Sequence, residues 1–383
     1  MVIRLADGCS KDPRCNFTQS KALKMQRGPS EHPSASRLVM RIALELANKS
    51  YDLSASSNAT HITIRLVDEC LEGSRCDFTY SKALKTQRGP FEHPSAIRML
   101  YHINSWGIEV FTKSWLPAKE KIKAIVFVCH GYGDTCTFFL EGFSRLLAKA
   151  GYAVFGMDYP GCGLSASLHG YISDFDRLVD DVTENYWSIK ALPEFAKLPC
   201  FLFGVSMGGA VALKMHLKHP TSWNGAILVA PMCKIAAEMY PPWIMVLILK
   251  ALCFILPRAK LVPYKNLANF ACRDVKKRMQ TAYNVIGYKD PPRLWTALEL
   301  LRATDEISSR LDEVSLPMLI LHGACDIITD PSVSKALYEQ SRSVDKTLHI
   351  YDEAWHSILD GEPDLVISNV LSDIKSWLHL HSS

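Results

Sequence analysis

The main pattern along the chain is a series of short runs of consecutive apolar residues, separated by amphipathic stretches. The runs lie at 108–114, 124–129, 153–157, 200–203, 226–230, 318–321 and 347–351. Runs of this length without alternation are typical of strands buried on both faces, and most of the stretches between them have helical periodicity. Alternating strands and helices form a mostly parallel sheet with helices on both faces, so the pattern predicts the α/β class.

The alternation stops between Pro231 and Leu316. A stretch of this length is too long for a loop. It therefore predicts a helical insertion, at about 233–312, which caps the ends of the strands.

Within this predicted cap, residues 243–256 are apolar, and Lys250 is the one charge among them. The stretch is shorter than the roughly 20 residues that a helix needs to span a bilayer. A helix that is apolar all round must cover more than one surface. We therefore expect it to pack on the core, to contribute Trp243, Ile244 and Leu247 to a substrate pocket, and to contact a lipid interface.

The first hundred residues are polar and contain a duplication. The segment at 3–37, IRLADGCSKDPRCNFTQSKALKMQRGPSEHPSASR, recurs at 64–98 as IRLVDECLEGSRCDFTYSKALKTQRGPFEHPSAIR. A single tandem copy is too few for a solenoid, and its cysteines lack the usual spacing of a zinc finger. We expect residues 1–98 to form a mostly disordered extension and residues 99–383 to form the folded domain.

The stretch LFGVSMGGAV places Ser206 between Gly204 and Gly208, where an apolar run meets a helical pattern. Serine beside glycine is ordinary turn composition, so the prediction depends on this context. A strand, a sharp turn and a helix form a nucleophile elbow, in which small residues let the turn tighten and the serine hydroxyl stand clear. The backbone N–H of Met207 then faces the same point from the helix N-terminus and predicts half of an oxyanion hole.

A serine nucleophile needs a base and an orienting carboxylate, which follow such an elbow in the order acid, then histidine. Asp326 follows the run at 318–321, and His356 follows the run at 347–351. Both lie just past the C-terminal end of a predicted strand, the edge of a parallel sheet where ligands bind. We therefore predict that Asp326 and His356 form a catalytic triad with Ser206.

Other carboxylates compete for the role of the acid. Asp330 precedes Pro331, a pairing that is typical of a helix N-cap. Asp352 and Glu353 lie too near His356 in sequence to be an acid on a separate strand.

The second oxyanion donor is expected from an earlier strand-to-loop turn. The stretch AIVFVCHGYGD provides this turn, and its glycines allow the N–H of Tyr132 to point toward the nucleophile. His130 lies on the same turn, and we expect it to have a structural hydrogen-bonding role.

Composition narrows the class of protein. The net charge is +4 with 21% charged residues, and no dense basic stripe or aromatic reader motif predicts a nucleic-acid partner. Several of the 12 cysteines, such as Cys129 and Cys200, lie in apolar runs, where they behave as small buried residues. No secretory segment opens the chain, so we expect a reducing, cytoplasmic compartment, with an organelle transit peptide in residues 1–60 as the alternative.

From about Asn104 to Trp377 the chain resembles the α/β-hydrolases of the monoacylglycerol lipase type, and within them the plant branch that includes caffeoylshikimate esterase. The matching stretches are NSWGIEVFTKSWLP, HGYGD, GYAVFGMDYPGCGLS, GVSMGG, LPMLILHGACDIITDPSVSKALYE, DKTLHIYDEAWHSILDGEP and DIKSWL. They occur in the order of the family.

The resemblance implies an α/β-hydrolase fold in which Ser206, Asp326 and His356 are the triad and Tyr132 and Met207 are the oxyanion donors. It implies an ester hydrolase that needs no metal or cofactor. The apolar cap favours a monoacylglycerol or lysolipid as the substrate. A hydroxycinnamate ester such as caffeoylshikimate is the alternative, and a non-enzymatic small-molecule receptor on the same fold is a remote one.

Overall fold

The computed structural model describes residues 95–118, 121–233, 243–262 and 267–382. Within them, eight strands form one sheet in the order β1-β2-β4-β3-β5-β6-β7-β8. The strands are β1 (Ser95–Ile103), β2 (Glu109–Pro117), β3 (Ala124–Cys129), β4 (Tyr152–Met157), β5 (Cys200–Val205), β6 (Gly225–Val229), β7 (Met318–Gly323) and β8 (Lys346–Tyr351). What the sequence predicts for residues 1–94, including most of the duplication, lies outside the described residues.

The sheet is parallel from β4 through β8, whereas β2 runs antiparallel to both β1 and β4. The helices that connect and cover these strands are α1 (Phe138–Lys149), α2 (Phe175–Lys190), α3 (Met207–Lys218), α4 (Trp243–Ile255), α5 (Ala268–Ala271), α6 (Val275–Gln280), α7 (Leu294–Ser308), α8 (Pro331–Gln340) and α9 (Asp364–His381). The predicted α/β architecture, a mostly parallel sheet with helices on both faces, is confirmed.

The central strands are buried on both faces, which explains why they read as unbroken apolar runs. All six residues of β3 are buried, and they alternate between two cores. Ile125 and Phe127 face the core that also contains residues of α2, α3 and α7, whereas Val126 and Val128 face the core that contains residues of α1 and α9. The sheet thus holds the C-terminal ends of β3, β5, β7 and β8 at one edge.

Strand β1 corrects the predicted boundary of the folded domain. It begins at Ser95, inside the segment assigned to the extension, and pairs with β2 over its whole length, from Ser95 with Pro117 to Ile103 with Glu109. As an edge strand it leaves apolar side chains exposed, such as Leu100 at 52%. Its sequence therefore lacks the continuous apolar run that identified the central strands.

The insertion between β6 and β7 is helical in its described part, as the sequence predicts. Helix α7 packs on the core through Leu300, Ala303 and Ile307, while α4 packs against α7 on the outside. Within the described ranges, no helix combines the length and the apolar character needed to cross a membrane.

Candidate active site

The turn after β5 has the geometry of a nucleophile elbow. Ser206 has φ of 54° and ψ of −120°, a conformation that a residue with a side chain adopts only at an energetic cost. Its backbone is held on two sides, because its N–H donates to the carbonyl of Val229 at 3.0 Å and its carbonyl accepts from the N–H of Met232 at 2.9 Å. The half-buried Ser206 side chain therefore lies at the boundary between the strand and helix α3.

Two glycines make this turn sterically possible. A Cβ on Gly208 would lie 1.9 Å from the carbonyl oxygen of Cys129, at the end of β3. A Cβ on Gly204 would lie 2.5 Å from the carbonyl oxygen of Gly208. Any larger residue at either position would push the first turn of α3 away from the strands, so the close approach that sets Ser206 in place requires glycine at both.

The predicted acid and base are in direct contact. Oδ2 of Asp326 accepts from Nδ1 of His356 at 2.6 Å, and the Asp326 side chain is fully buried. Its other oxygen, Oδ1, accepts from the backbone N–H groups of Ile328 at 2.7 Å and Thr329 at 3.2 Å. The carboxylate is thus fixed by its own loop and fixes in turn the orientation of the imidazole.

Electrostatics favour an ionised Asp326 beside a basic His356. Burial alone would raise the pKa of Asp326, but the charge of His356 and hydrogen bonds from His322 and His356 hold it far below its usual range. Burial would lower the pKa of His356, but the Asp326 carboxylate outweighs burial and raises it. The carboxylate therefore stays ionised while the imidazole is poised to accept a proton.

The competing residues occupy other roles. Asp330 caps helix α8, where its side chain accepts from the N–H of Ser332 at 2.8 Å and Pro331 follows it. The Glu353 side chain is 82% exposed and pairs with Arg273.

His130 is buried and hydrogen-bonded through both ring nitrogens. Nδ1 lies 2.8 Å from the carbonyl oxygen of Gly131, and Nε2 accepts from the N–H of Tyr159 at 3.2 Å. Burial lowers the pKa of His130 to about 4, so it stays neutral and structural, as the sequence predicts.

The residues predicted to supply the oxyanion donors lie beside Ser206. Gly131, Tyr132, Ser206 and Met207 line one cavity together with His356. A Cβ on Gly131 would lie 3.5 Å from the Cβ of Ser206, so the backbone of this turn passes directly beside the serine. Met207 is the first residue of α3, and its N–H has no acceptor within the helix. This set of groups is the one that nucleophilic acyl transfer requires.

The cavity beside Ser206 has a volume of about 1360 Å³ and runs beneath the cap. Most of its wall is apolar, with residues from α1, α4 and α7, from the turn after β6 and from the loop after His356. These include Leu140, Phe143, Met232, Leu249, Leu298, Leu301 and Ile358.

The structure corrects the pocket residues predicted on α4. Trp243, Ile244 and Leu247 are not among the lining residues of this cavity and are 75%, 55% and 63% exposed. Leu249 and Cys253, one turn apart, face the cavity instead. Because the helix is apolar on every side, its sequence contains no periodicity that would indicate which face points inward.

Three polar residues that the sequence did not single out lie in the same cavity. Asp134 accepts from Nδ2 of Asn284 at 3.3 Å, and Asp360 lines the wall four residues after His356. Burial raises the pKa of Asp134 to about 8 and that of Asp360 to about 7. These residues come from three separate loops, so only the folded chain reveals that they share one cavity.

Comparison with known proteins finds a matching family and several relatives. The profile of the Hydrolase_4 family, described as serine aminopeptidase, S33, matches residues 120–364. The caffeoylshikimate esterase of Arabidopsis thaliana is 31% identical over 303 residues, which are 79% of this chain and 88% of that protein. The monoglyceride lipase of Homo sapiens is 30% identical over 283 residues, which are 72% of this chain and 88% of that protein.

Solved structures show the same fold. A soluble variant of the monoglyceride lipase of Saccharomyces cerevisiae, in complex with a substrate analogue, matches with a TM-score of 0.68 at 21% identity and covers 77% of this chain and 100% of that chain. A thermostable carboxyl esterase of Bacillus coagulans, in complex with glycerol, matches with a TM-score of 0.62 at 17% identity and covers 75% of this chain and 99% of that chain.

Proposed function

Since this chain belongs to the Hydrolase_4 family of α/β-hydrolases and is a carboxylic ester hydrolase, we propose that it hydrolyses monoacylglycerols or related lysolipids. The observation that supports this substrate class is the mainly apolar cavity of about 1360 Å³ beside Ser206, which has room for a long acyl chain. The relatives named monoglyceride lipase, from Mus musculus, Rattus norvegicus and Homo sapiens, agree with it.

The proposed mechanism uses Ser206 as the nucleophile. His356 accepts the hydroxyl proton while Oγ of Ser206 bonds to the ester carbonyl carbon, and Asp326 holds the imidazole in the required tautomer. The N–H groups of Tyr132 and Met207 donate to the oxyanion of the tetrahedral intermediate, where loss of one such donor typically costs about 3 to 4 kcal/mol. The C–O bond then breaks, His356 gives its proton to the leaving alcohol, and water hydrolyses the acyl-enzyme by the same steps.

The polar residues of the cavity suit a neutral alcohol. Asp134 and Asp360 share one cavity, and the charge of Asp360 adds to the effect of burial in raising the pKa of Asp134. Two carboxyl groups that resist ionisation can exchange hydrogen bonds with the hydroxyl groups of a polyol such as glycerol. Glycerol supplies such hydroxyl groups and carries no charge, so this pair of residues favours a glyceride.

The alternative substrate is a hydroxycinnamate ester such as caffeoylshikimate. Lys250, Arg278 and Tyr288 also line the cavity, and they could contact the carboxylate and the aromatic ring of such an ester. The relative named caffeoylshikimate esterase supports this alternative.

An equimolar competition between 2-monoacylglycerol and caffeoylshikimate tests the choice, with the full-length chain and a Ser206→Ala variant. We expect preferential release of fatty acid from the glyceride. Ser206→Ala is expected to lose at least about 10³-fold in turnover and to keep its melting temperature. Preference for caffeoylshikimate would overturn the proposed substrate class, and wild-type turnover by Ser206→Ala would overturn the proposed site. Turnover of neither ester would reopen the receptor alternative.

We also propose that the outer face of the cap docks on a lipid interface. Trp243, Leu247 and Phe254 on α4 are 75%, 63% and 76% exposed, and such a patch on one helix is typical of an interfacial surface. A double variant, Trp243→Ser with Phe254→Ser, is expected to lose activity on micellar glyceride and to keep activity on a monomeric short-chain ester. The matched control is Leu380→Ser on α9, which is 74% exposed. Equal activity of wild type and double variant on micelles would rule out docking through this face.

A further inference from the structure

The carboxylate of Asp326 contacts a second imidazole besides that of His356. Nε2 of His322 lies 3.0 Å from Oδ2 of Asp326, the same oxygen that accepts from His356. Thr329 Oγ1 donates to this oxygen as well, at 2.7 Å. His322 is the next-to-last residue of β7 and is completely buried. Three side chains thus converge on one carboxylate oxygen.

The remaining contact of His322 fixes which ring nitrogen carries the proton. Nδ1 lies 2.7 Å from Oγ of Ser334, a buried residue of α8. The ionised Asp326 carboxylate can only accept hydrogen bonds, so the Nε2 that faces it must carry a proton. In a neutral imidazole Nδ1 is then an acceptor, and the hydroxyl of Ser334 donates to it. Ser334 therefore keeps His322 in the tautomer that donates to Asp326.

We propose that His322 is a positioning residue of the active site, which anchors the Asp326 carboxylate and draws part of its negative charge away from His356. The inference rests on the proposed function, because it requires Asp326 and His356 to act on Ser206. A hydrogen bond to an ionised group is stronger than one between neutral groups, and charge shared with a second donor is less available to the first.

The direction of the effect follows from this charge sharing. His356 must be neutral to accept the Ser206 proton, so the acidic limb of kcat/KM reports its pKa in the free enzyme. A neutral His322 donates a hydrogen bond to Asp326, and this hydrogen bond weakens the stabilisation that the carboxylate gives to protonated His356. A protonated His322 would disfavour the protonation of His356 by charge repulsion. Both states lower the pKa of His356, so removal of the donor moves the acidic limb to higher pH.

Other ionisable groups also affect the pKa of His356. Asp360, in the loop after His356, raises the pKa of His356 by its charge, and Lys277 of α6 lies close enough to lower the pKa of Asp360. Because neither residue contacts His322 through a hydrogen bond in the described structure, a change at His322 leaves these contributions in place.

The test compares kcat/KM against pH for a short soluble ester with wild type, His322→Leu and His322→Gln. Leucine keeps an apolar side chain of similar size but donates nothing, whereas the glutamine amide can still donate to Asp326 and accept from Ser334. We expect His322→Leu to raise the pKa of the acidic limb by about 0.5 to 1 unit and to lower kcat by about tenfold, and His322→Gln to restore most of both. Ser334→Ala, a milder change that leaves His322 in place, is expected to shift the limb in the same direction by less.

The outcomes separate this role from simple packing. An unchanged acidic limb in His322→Leu and Ser334→Ala would overturn the inference, as would equal shifts in the leucine and glutamine variants. If His322→Leu fails to fold, Ser334→Ala and His322→Gln carry the same comparison. A Ser206→Ala control separates failure of this inference from failure of the proposed active site. Activity that survives in Ser206→Ala would overturn the proposed active site, and the role of His322 with it.

Discussion

The substitution Gly208→Ala tests how the close approach of strand and helix creates the active site. A Cβ at this position would lie 1.9 Å from the carbonyl oxygen of Cys129 and 2.8 Å from that of His130. An ordinary contact begins at 3.4 Å, and the obstacle is backbone, so the first turn of α3 must move by about 1.5 Å. Met207 precedes Gly208 directly, so its N–H moves as well.

The expected loss follows from this displacement. A misplacement of about 1 Å at a reacting centre costs about 10²-fold in rate, and removal of one oxyanion donor costs about 10²- to 10³-fold. We therefore expect kcat/KM for a soluble ester to fall by about 10²-fold or more in Gly208→Ala, with a lowered melting temperature. The measurement is steady-state kinetics on folded protein, checked by circular dichroism.

A matched control adds the same methyl group where it fits. Gly142 lies in helix α1 on the wall of the wide cavity, and a Cβ there would meet nothing within 4 Å. Gly142→Ala is expected to retain activity on a short soluble ester, which does not fill the cavity, and to stabilise the protein by about 0.5 to 1 kcal/mol. Wild-type kcat/KM in Gly208→Ala would refute the claim that contact between α3 and the end of β3 positions the oxyanion donor.

Two further predictions concern ionisable groups. Asp326→Asn is expected to lower kcat by about 10⁴-fold. The acidic limb of kcat/KM is expected to move to lower pH, because the carboxylate that raises the pKa of His356 is gone. A pH–rate profile measures this shift, and an acidic limb that stays in place would contradict it. Burial raises the pKa of Asp360 to about 7, whereas its pKa in the unfolded chain is about 4. Between about pH 4 and pH 7 the folded protein therefore binds a proton at Asp360 that the unfolded chain has lost, so the free energy of unfolding falls as the pH rises through this range. Asp360→Asn is therefore expected to raise the melting temperature at pH 8 more than at pH 5, and equal changes at both pH values would contradict the effect of burial.

The sequence predicted the central strands and the positions of Ser206, Asp326 and His356 at their ends, because continuous apolar runs mark these strands and also show where each one stops. Central parallel strands are continuous apolar runs, and each of these polar residues lies within five residues of the end of such a run. The pairing of Asp326 with His356 in the structure agrees with the predicted order. Strand β1 escaped prediction because an exposed edge strand has no such run.

The residues that the sequence missed depend on contacts between distant segments. His322 lies inside a buried strand and reads as a structural residue until its contact with Asp326 is known. Asp134, Asn284 and Asp360 enter one cavity from separate loops. The sequence of α4 is apolar on every side, so it could not predict which face of the helix points into the cavity.

The most direct test of the central claim is mass spectrometry after reaction with a fluorophosphonate, which forms a stable adduct with an activated serine. A nucleophilic Ser206 predicts one adduct per chain, on the peptide that contains Ser206, and no adduct in Ser206→Ala. Labelling at another serine, or equal labelling of wild type and Ser206→Ala, would contradict it.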